Sequence, residues 1–132
     1  MGATLVDRNT PQRDPRDLVL PVAANSKVIA GTIGVFTAAG HVAGATTATT
    51  LTGAGRIEET VDNSTGAAGD KSVRVKRGCF QWANDGSVTA AHRGKPAYAV
   101  DNQTVAPTDG GGTRSVIGTI RDVDSQGVWV EI

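Results

Sequence analysis

Apolar and polar residues alternate in the second half of the chain with the two-residue period of a β-strand. Residues 72–76 are the clearest case, because Val73 and Val75 are predicted to face a core while Arg74 and Lys76 face solvent. Further short runs of the same kind lie at 18–22, 27–36, 56–61, 97–100, 114–123 and 128–132. Short runs separated by turn residues predict a fold built mostly from strands.

Glycines and turn residues break this pattern between the predicted strands. At Gly78 the apolar positions shift by one residue, to Phe80 and Trp82, which indicates a β-bulge. Residues 84–86, Asn-Asp-Gly, predict a tight turn with the sequence typical of a hairpin. Residues 89–96 predict one helical turn, with a threonine to cap its start, a left-handed glycine near its end and a proline to stop it.

Two segments of the first half, 1–17 and 37–55, lack this alternating pattern. Residues 1–17 are polar, with two prolines and alternating charges, and predict an extended N-terminal arm. Residues 37–55 are rich in Ala, Thr and Gly and could form thin strands or a mobile loop. The pattern as a whole predicts an all-β chain: one domain over 18–132, a small β-sandwich or β-barrel with one short helical turn.

Composition indicates that partners contribute to the stability of this domain. A length of 132 residues suits one domain, but the chain has only five aromatic residues and 17 glycines, so its core is thin. Its 13 basic and 13 acidic residues cancel, so no overall charge attracts it to nucleic acid or to a membrane. Residues 28–55 have no Asp, Glu, Lys or Arg but are too rich in Thr and Gly to predict a membrane helix, and we expect no secretory signal at 1–6.

No group of residues predicts catalysis. His41 and His92 are the two histidines, and no nucleophile motif accompanies them. Residues 122–127 imitate the start of a calcium loop but lack its closing glutamate, so a hairpin turn is predicted there. Cys79 cannot form an internal disulfide and is predicted to be a small buried residue. We therefore expect no enzyme activity, no catalytic residue, no cofactor and no metal.

Trp129 is the most informative residue for function. In the last predicted strand Val128, Val130 and Ile132 share one face, and Trp129 lies on the opposite face. Either its own domain or another subunit must cover so large a ring, and both alternatives stay open here.

Several basic residues are candidates for contact with a partner. Lys71, Arg74, Lys76 and Arg77 form a local basic run, predicted to be a solvated strand face or an ion-paired contact to an acidic partner. The candidate interface residues are Trp129 and three arginines of the arm, Arg8, Arg13 and Arg16.

Three segments carry a resemblance to a known family. They are GAAGDKSVRVKRG at 66–78, GKPAYAVDNQTV at 94–105 and RSVIGTIRDVDSQGVWV at 114–130. Together they resemble the capsid cement, or decoration, proteins of tailed bacteriophages and Mu-like prophages. The resemblance covers roughly 55–132. It implies a β-rich fold and a place on the outer capsid surface, and it supplies no functional residues.

The resemblance implies a structural virion protein that stabilises a phage capsid by bridging neighbouring major capsid subunits, after synthesis in the host cytoplasm. The expected partners are the major capsid protein and the chain itself, as a homotrimer or alternatively a dimer. No direct contact with nucleic acid or membrane is expected. The alternative is a non-catalytic β module that binds a ligand such as a carbohydrate, with Trp82, Tyr98 or Trp129 as a stacking platform.

Overall fold

A computed structural model describes residues 2–132 and confirms the all-β class. In this range one 3₁₀ turn, at Ala90–His92, accompanies twelve strands. The strands are β1 (Asp17–Pro21), β2 (Ser26–Val28), β3 (Ile33–Phe36), β4 (Val42–Gly44), β5 (Thr52–Ile57), β6 (Val61–Asn63), β7 (Ser72–Lys76), β8 (Cys79–Asn84), β9 (Pro96–Ala99), β10 (Thr104–Ala106), β11 (Val116–Asp124) and β12 (Gly127–Glu131).

The first half of the chain forms an open, five-stranded antiparallel sheet in the order β1-β7-β5-β3-β4. The short pair β2–β6 lies beside it, and strands β2 and β4 are in contact. The buried core of this half is rich in valine, with one isoleucine: Val22, Val28, Val42, Ala54, Ile57, Val73 and Val75. Strand β1 is an edge strand, as the proline at its end predicts.

The second half forms a closed barrel in the order β10-β8-β12-β11-β9. Its pairs are antiparallel except β8–β10, which is parallel. The barrel is filled by larger side chains, including Trp82, Ile117 and Ile120. Because the strands close on themselves, the barrel leaves no long unpaired edge.

The sheet packs directly on the barrel through β3 and β5. Ile33 and Val35 of β3 belong to the barrel's core cluster. At Gly53 of β5 the two layers approach so closely that a Cβ atom would lie 2.0 Å from the carbonyl oxygen of Ile117. Ser115 joins the layers by donating from its hydroxyl to the Ala48 carbonyl (2.7 Å). One continuous packing surface therefore connects the two halves.

The strand at 72–76 and the helical turn were predicted correctly. Val73 and Val75 are buried, and their charged neighbours on β7 are exposed. Thr89 is the N-cap of the turn, its amide donates to Nδ1 of His92 (2.9 Å), and Gly94 adopts a left-handed conformation with φ +81°.

The predictions at Gly78 and at 84–86 were wrong about how the strands beside them pair. Gly78 is not a bulge, because β7 and β8 belong to different sheets and the chain passes from the sheet to the barrel there. The turn at 84–86 exists, with Gly86 at φ +104°, but it does not close a hairpin. Strand β8 pairs with β12 and β10, so its partners come from later in the chain.

Several strand boundaries also differ from the prediction. The run 27–36 is split into β2 and β3 by a turn at Gly31. The run 56–61 contains the end of β5 and the start of β6, while 37–55 holds β4 and the start of β5. In β11, a register shift between Val116 and Gly118 turns Val116 outward, so Val116 does not share the buried face of Ile120.

Candidate interaction surface

Trp129 lies on the outer wall of the barrel. Its neighbours Val128 and Val130 are fully buried, so the alternation of β12 directs the Trp129 ring outward, where 37% of the residue is exposed. Across the sheet it is paired with Gln81 of β8 and Asp122 of β11. Its own domain therefore covers this tryptophan only in part.

A carboxylate at the end of the β11–β12 hairpin holds the indole ring. Trp129 donates from Nε1 to Oδ2 of Asp124 (3.0 Å), while Oδ1 accepts from the amides of Gln126 (2.8 Å) and Gly127 (3.1 Å). These hydrogen bonds, the one from Trp129 above all, lower the pKa of Asp124. The carboxylate thus caps the hairpin turn and fixes the orientation of the ring, in agreement with the turn predicted at 122–127.

Two exposed ion pairs flank Trp129. Arg93 contacts Asp122 (2.9 Å), and Arg121 contacts Glu131 (3.0 Å). The amide of Val123 and the guanidinium of Arg93 lower the pKa of Asp122. Exposed pairs of this kind contribute little to stability. They neutralise Asp122 and Glu131, whereas Asp124 has no cationic partner among the described residues.

A depression of about 550 Å³ opens beside Trp129. On its floor, the guanidinium carbon of Arg56 lies 4.6 Å from the centre of the Phe80 ring, a cation–π arrangement, and Arg56 also pairs with Glu58 (2.7 Å). Trp82 lines the same depression and is only 5% exposed, and its indole N–H has no hydrogen-bond partner among the described residues.

A second depression lies at the base of the arm and shares Cys79 with the first as a lining residue. The Arg77 amide donates to the carbonyl oxygen of Arg16 (2.7 Å) and so fixes the arm where it joins the body. We call the two depressions together the Cys79 groove. It is lined by Pro15, Arg16, Gly31, Arg56, Lys76, Arg77, Gly78, Cys79, Phe80, Gln81, Trp82, Trp129, Glu131 and Ile132.

Cys79 is exposed, so the prediction that it is buried was wrong. Phe80 and Trp82 take the inward positions of β8, and the alternation of the strand then places Cys79 outside. Partial burial and the nearby Glu131 carboxylate raise the pKa of the Cys79 thiol, against an opposing effect of Arg121. The thiol is therefore mainly protonated at neutral pH.

The predicted arm is exposed at every position from 2 to 16 and contains no strand or helix there, while Met1 lies outside the described residues. Leu5 and Val6 are 97% and 77% exposed. Arg8 donates to the Thr10 hydroxyl (2.7 Å), within the arm. Arg16 pairs with Asp14 (3.2 Å), which lowers the pKa of that aspartate.

Two of the four candidate interface residues line these depressions, Arg16 the one at the base of the arm and Trp129 the other. Arg16 and Trp129 both line the Cys79 groove, whereas Arg8 and Arg13 do not. Of the basic run, Lys76 and Arg77 join them, while Lys71 donates elsewhere, to the carbonyl oxygen of Asp62 (2.6 Å). No local pattern indicated this grouping, because the residues come from the arm, β7, the connection between β7 and β8, and β12.

Arg56 and Phe80 are the groove residues that sequence reasoning missed. Arg56 reaches the groove from β5, which pairs with β7 through Arg56 and Ile57. Among the proposed stacking rings, Trp82 is buried and cannot serve as a platform, Tyr98 is half-buried, and Trp129 keeps an exposed surface.

Within residues 2–132, no three His, Cys, Asp or Glu side chains are arranged to hold a metal ion. The same range contains no helix with the length and hydropathy needed to cross a membrane. Comparison of the chain with family models, with curated proteins and with solved structures found no match.

Proposed function

We propose that this chain is a non-enzymatic structural protein that decorates the outer surface of a phage capsid and stabilises it by bridging neighbouring major capsid subunits. The observation that carries the proposal is the exposed arm. Residues 2–16 leave a folded β body at an edge strand and bear two apolar side chains, Leu5 and Val6, that the body does not cover.

An arm of this kind favours a partner that binds it. Burial of Leu5 and Val6 would stabilise a complex by roughly 1.5–3 kcal/mol for each side chain fully buried. This gain offsets the entropy lost when the arm is ordered, and a bound extended arm covers a wide surface. Two prolines, Pro11 and Pro15, already restrict the arm to extended conformations and so reduce that entropy cost.

The Cys79 groove supplies a second attachment next to the arm. Arg16 belongs to both, because it ends the arm and lines the groove. A subunit bound in the groove and a neighbour bound along the arm would be tied together by one chain. Such paired contacts, repeated over a capsid lattice, give strong attachment from modest individual interfaces.

Self-association as a homotrimer, with a dimer as the alternative, stays part of this proposal. Exposed apolar residues in both halves support it: Val19 on the edge strand β1, Val116 on β11 and Trp129 on β12. Sedimentation of the purified chain over a range of concentrations tests it, and a monomer at the highest concentration argues against a preformed oligomer.

Two measurements test the main proposal. Mass spectrometry of particles purified from the source should find the chain at a fixed ratio to the major capsid protein, and antibodies to it should label intact particles. Purified chain added to particles that lack it should bind to saturation and raise the temperature at which they release DNA.

A matched variant without residues 2–14 should occupy fewer sites on the same particles. Absence of the chain from purified particles, together with no binding to undecorated ones, contradicts the proposal. Specific binding on a glycan array in that case would support the carbohydrate-binding alternative, with Trp129 as its remaining exposed ring.

A further inference from the structure

We propose that the Cys79 groove binds an acidic protein segment that carries one aromatic or aliphatic anchor side chain. That the segment belongs to a capsid subunit rests on the proposed function. The chemistry of the segment follows from the groove itself.

Charge is the first argument. The groove is lined by Arg16, Arg56, Lys76 and Arg77 but by one acidic residue, Glu131. Four of the chain's 13 basic residues and one of its 13 acidic residues therefore lie here, although the whole chain is neutral. A carboxylate-bearing partner complements such a surface.

Two of these four basic residues, Lys76 and Arg77, are free to interact with a partner, whereas Arg16 is paired with Asp14 and Arg56 with Glu58. Glu131 is already paired with Arg121 (3.0 Å). The Lys76 ammonium makes no hydrogen bond or ion pair within residues 2–132, and the Arg77 guanidinium donates there only to the Ala54 carbonyl, at a long 3.4 Å. Carboxylates of a partner would therefore meet Lys76 and Arg77 without first displacing an internal acid.

Apolar surface is the second argument. Trp129 is 37% exposed, and it lines the same depression as Phe80, whose ring lies under the Arg56 guanidinium. Tryptophan and arginine are enriched at the energetic centres of protein interfaces. A depression of about 550 Å³ has room for an anchor side chain and a short length of backbone.

These features favour a protein segment over a nucleic acid strand. Single-stranded nucleic acids bind on successive stacked aromatic rings. Here Trp129 is the one exposed large ring in the groove, because Trp82 is buried and Arg56 already lies over Phe80.

A titration with synthetic peptides tests the inference. The probe is a ten-residue peptide of alternating Glu and Ser with a central Phe, and the control peptide has Lys in place of each Glu. We expect the acidic peptide to shift the NMR signals of Cys79, Gln81 and the Trp129 indole, to slow alkylation of Cys79, and to bind less tightly as salt is added. Replacing its Phe with Ser should weaken binding about 10-fold or more.

Variants identify the charges responsible. Lys76→Gln combined with Arg77→Gln should weaken binding of the acidic peptide about 10-fold or more. Lys95→Gln, which removes an exposed lysine outside the groove, should leave binding unchanged. Melting curves of all three proteins confirm that the variants are folded.

The inference is overturned if the basic peptide binds as well as the acidic one, if neither peptide binds, if the shifted signals lie elsewhere, or if a ten-nucleotide thymidine strand binds more tightly at the same site. Its failure is distinct from failure of the proposed function. Particles that bind the wild-type and double-variant chains equally would overturn the groove's role alone, whereas peptide binding without particle binding would overturn the capsid assignment alone.

Discussion

The barrel and the sheet bury their apolar side chains in different ways. The barrel closes five strands around Trp82, Ile117 and Ile120, so its backbone groups pair within the barrel. The sheet is open, and its core consists mainly of valines, with Ile57 as the largest buried side chain. A closed barrel constrains its core on all sides, whereas an open sheet can move inward to fill a space.

Because of this difference, we expect the stability of the fold and its attachment to a capsid to depend on different residues. The open sheet keeps a free edge at β1, and the arm leaves the body there. The closed barrel offers no edge, so the contact surface that we propose for it is a side chain on its outer wall, Trp129. Changes inside each half therefore test stability, and changes at the edge or on the wall test attachment.

Matched isoleucines test the comparison most strongly. Ile120 in the barrel and Ile57 in the sheet are both fully buried. We expect Ile120→Ala to lower the free energy of unfolding by about 4 kcal/mol and Ile57→Ala by about 2–3 kcal/mol, because the open sheet can partly close its cavity. Urea denaturation measures both. A larger loss for Ile57→Ala would contradict this view of the two halves.

We expect the next largest effect on the free energy of unfolding at the contact between the sheet and the barrel. Gly53→Ala places a methyl group against the Ile117 carbonyl, so we expect a loss of about 1–3 kcal/mol in the free energy of unfolding. Gly44→Ala is the matched control, because its nearest neighbour would be 3.9 Å away. Equal melting temperatures for the two variants would show that the sheet does not depend on this close approach.

Substitutions of exposed residues test whether the outer wall of the barrel or the edge of the sheet makes the contact with the capsid. Trp129→Ala should cost the isolated domain about 1–2 kcal/mol, because the residue is partly buried and its indole N–H donates to the Asp124 carboxylate. It should weaken capsid attachment by about 2 kcal/mol per contact, as expected of an aromatic residue at an interface. Val19→Ala on the sheet edge is the control for attachment. If it weakens particle binding more than Trp129→Ala does, the sheet and not the barrel carries the contact.

The pH dependence of the barrel hairpin gives a smaller effect. The pKa of Asp124 is lowered in the folded chain, so its hydrogen bonds stabilise the fold above the ordinary aspartate value of 3.8 and are lost as pH falls through the lowered value. Trp129→Phe removes the largest cause, so the Asp124 pKa should rise towards 3.8. NMR titration of the carboxyl carbon measures it. An unchanged pKa would mean that the Gln126 and Gly127 amides hold the carboxylate by themselves.

Removal of the arm should change the stability least. Residues 2–14 are exposed throughout and precede Arg16, whose carbonyl oxygen accepts from the Arg77 amide. Their deletion should therefore leave the melting temperature of the domain nearly unchanged while it weakens attachment to particles. Calorimetry of the two forms measures the first effect. A drop of several degrees would show that the arm packs on the sheet in solution.

Local patterns predicted local structure well. The alternation at 72–76 gave β7 and the direction of each of its side chains, and the residues from Thr89 to Gly94 gave the 3₁₀ turn. Both depend on neighbours within a few residues, through strand alternation and through capping. That Trp129 lies on the face opposite Val128 and Val130 was likewise predicted from the alternation of β12, whereas its exposure to solvent was not.

Pairing between distant segments was decided only by the tertiary structure. The sequence indicated a strand on each side of Gly78, but it could not show that one belongs to the sheet and the other to the barrel. The same holds for the Cys79 groove, whose lining residues Arg16, Arg56 and Trp129 come from three distant parts of the chain. The alternation in a strand fixes which side of a surface each residue occupies, but strand order depends on packing between remote segments, which no local pattern records.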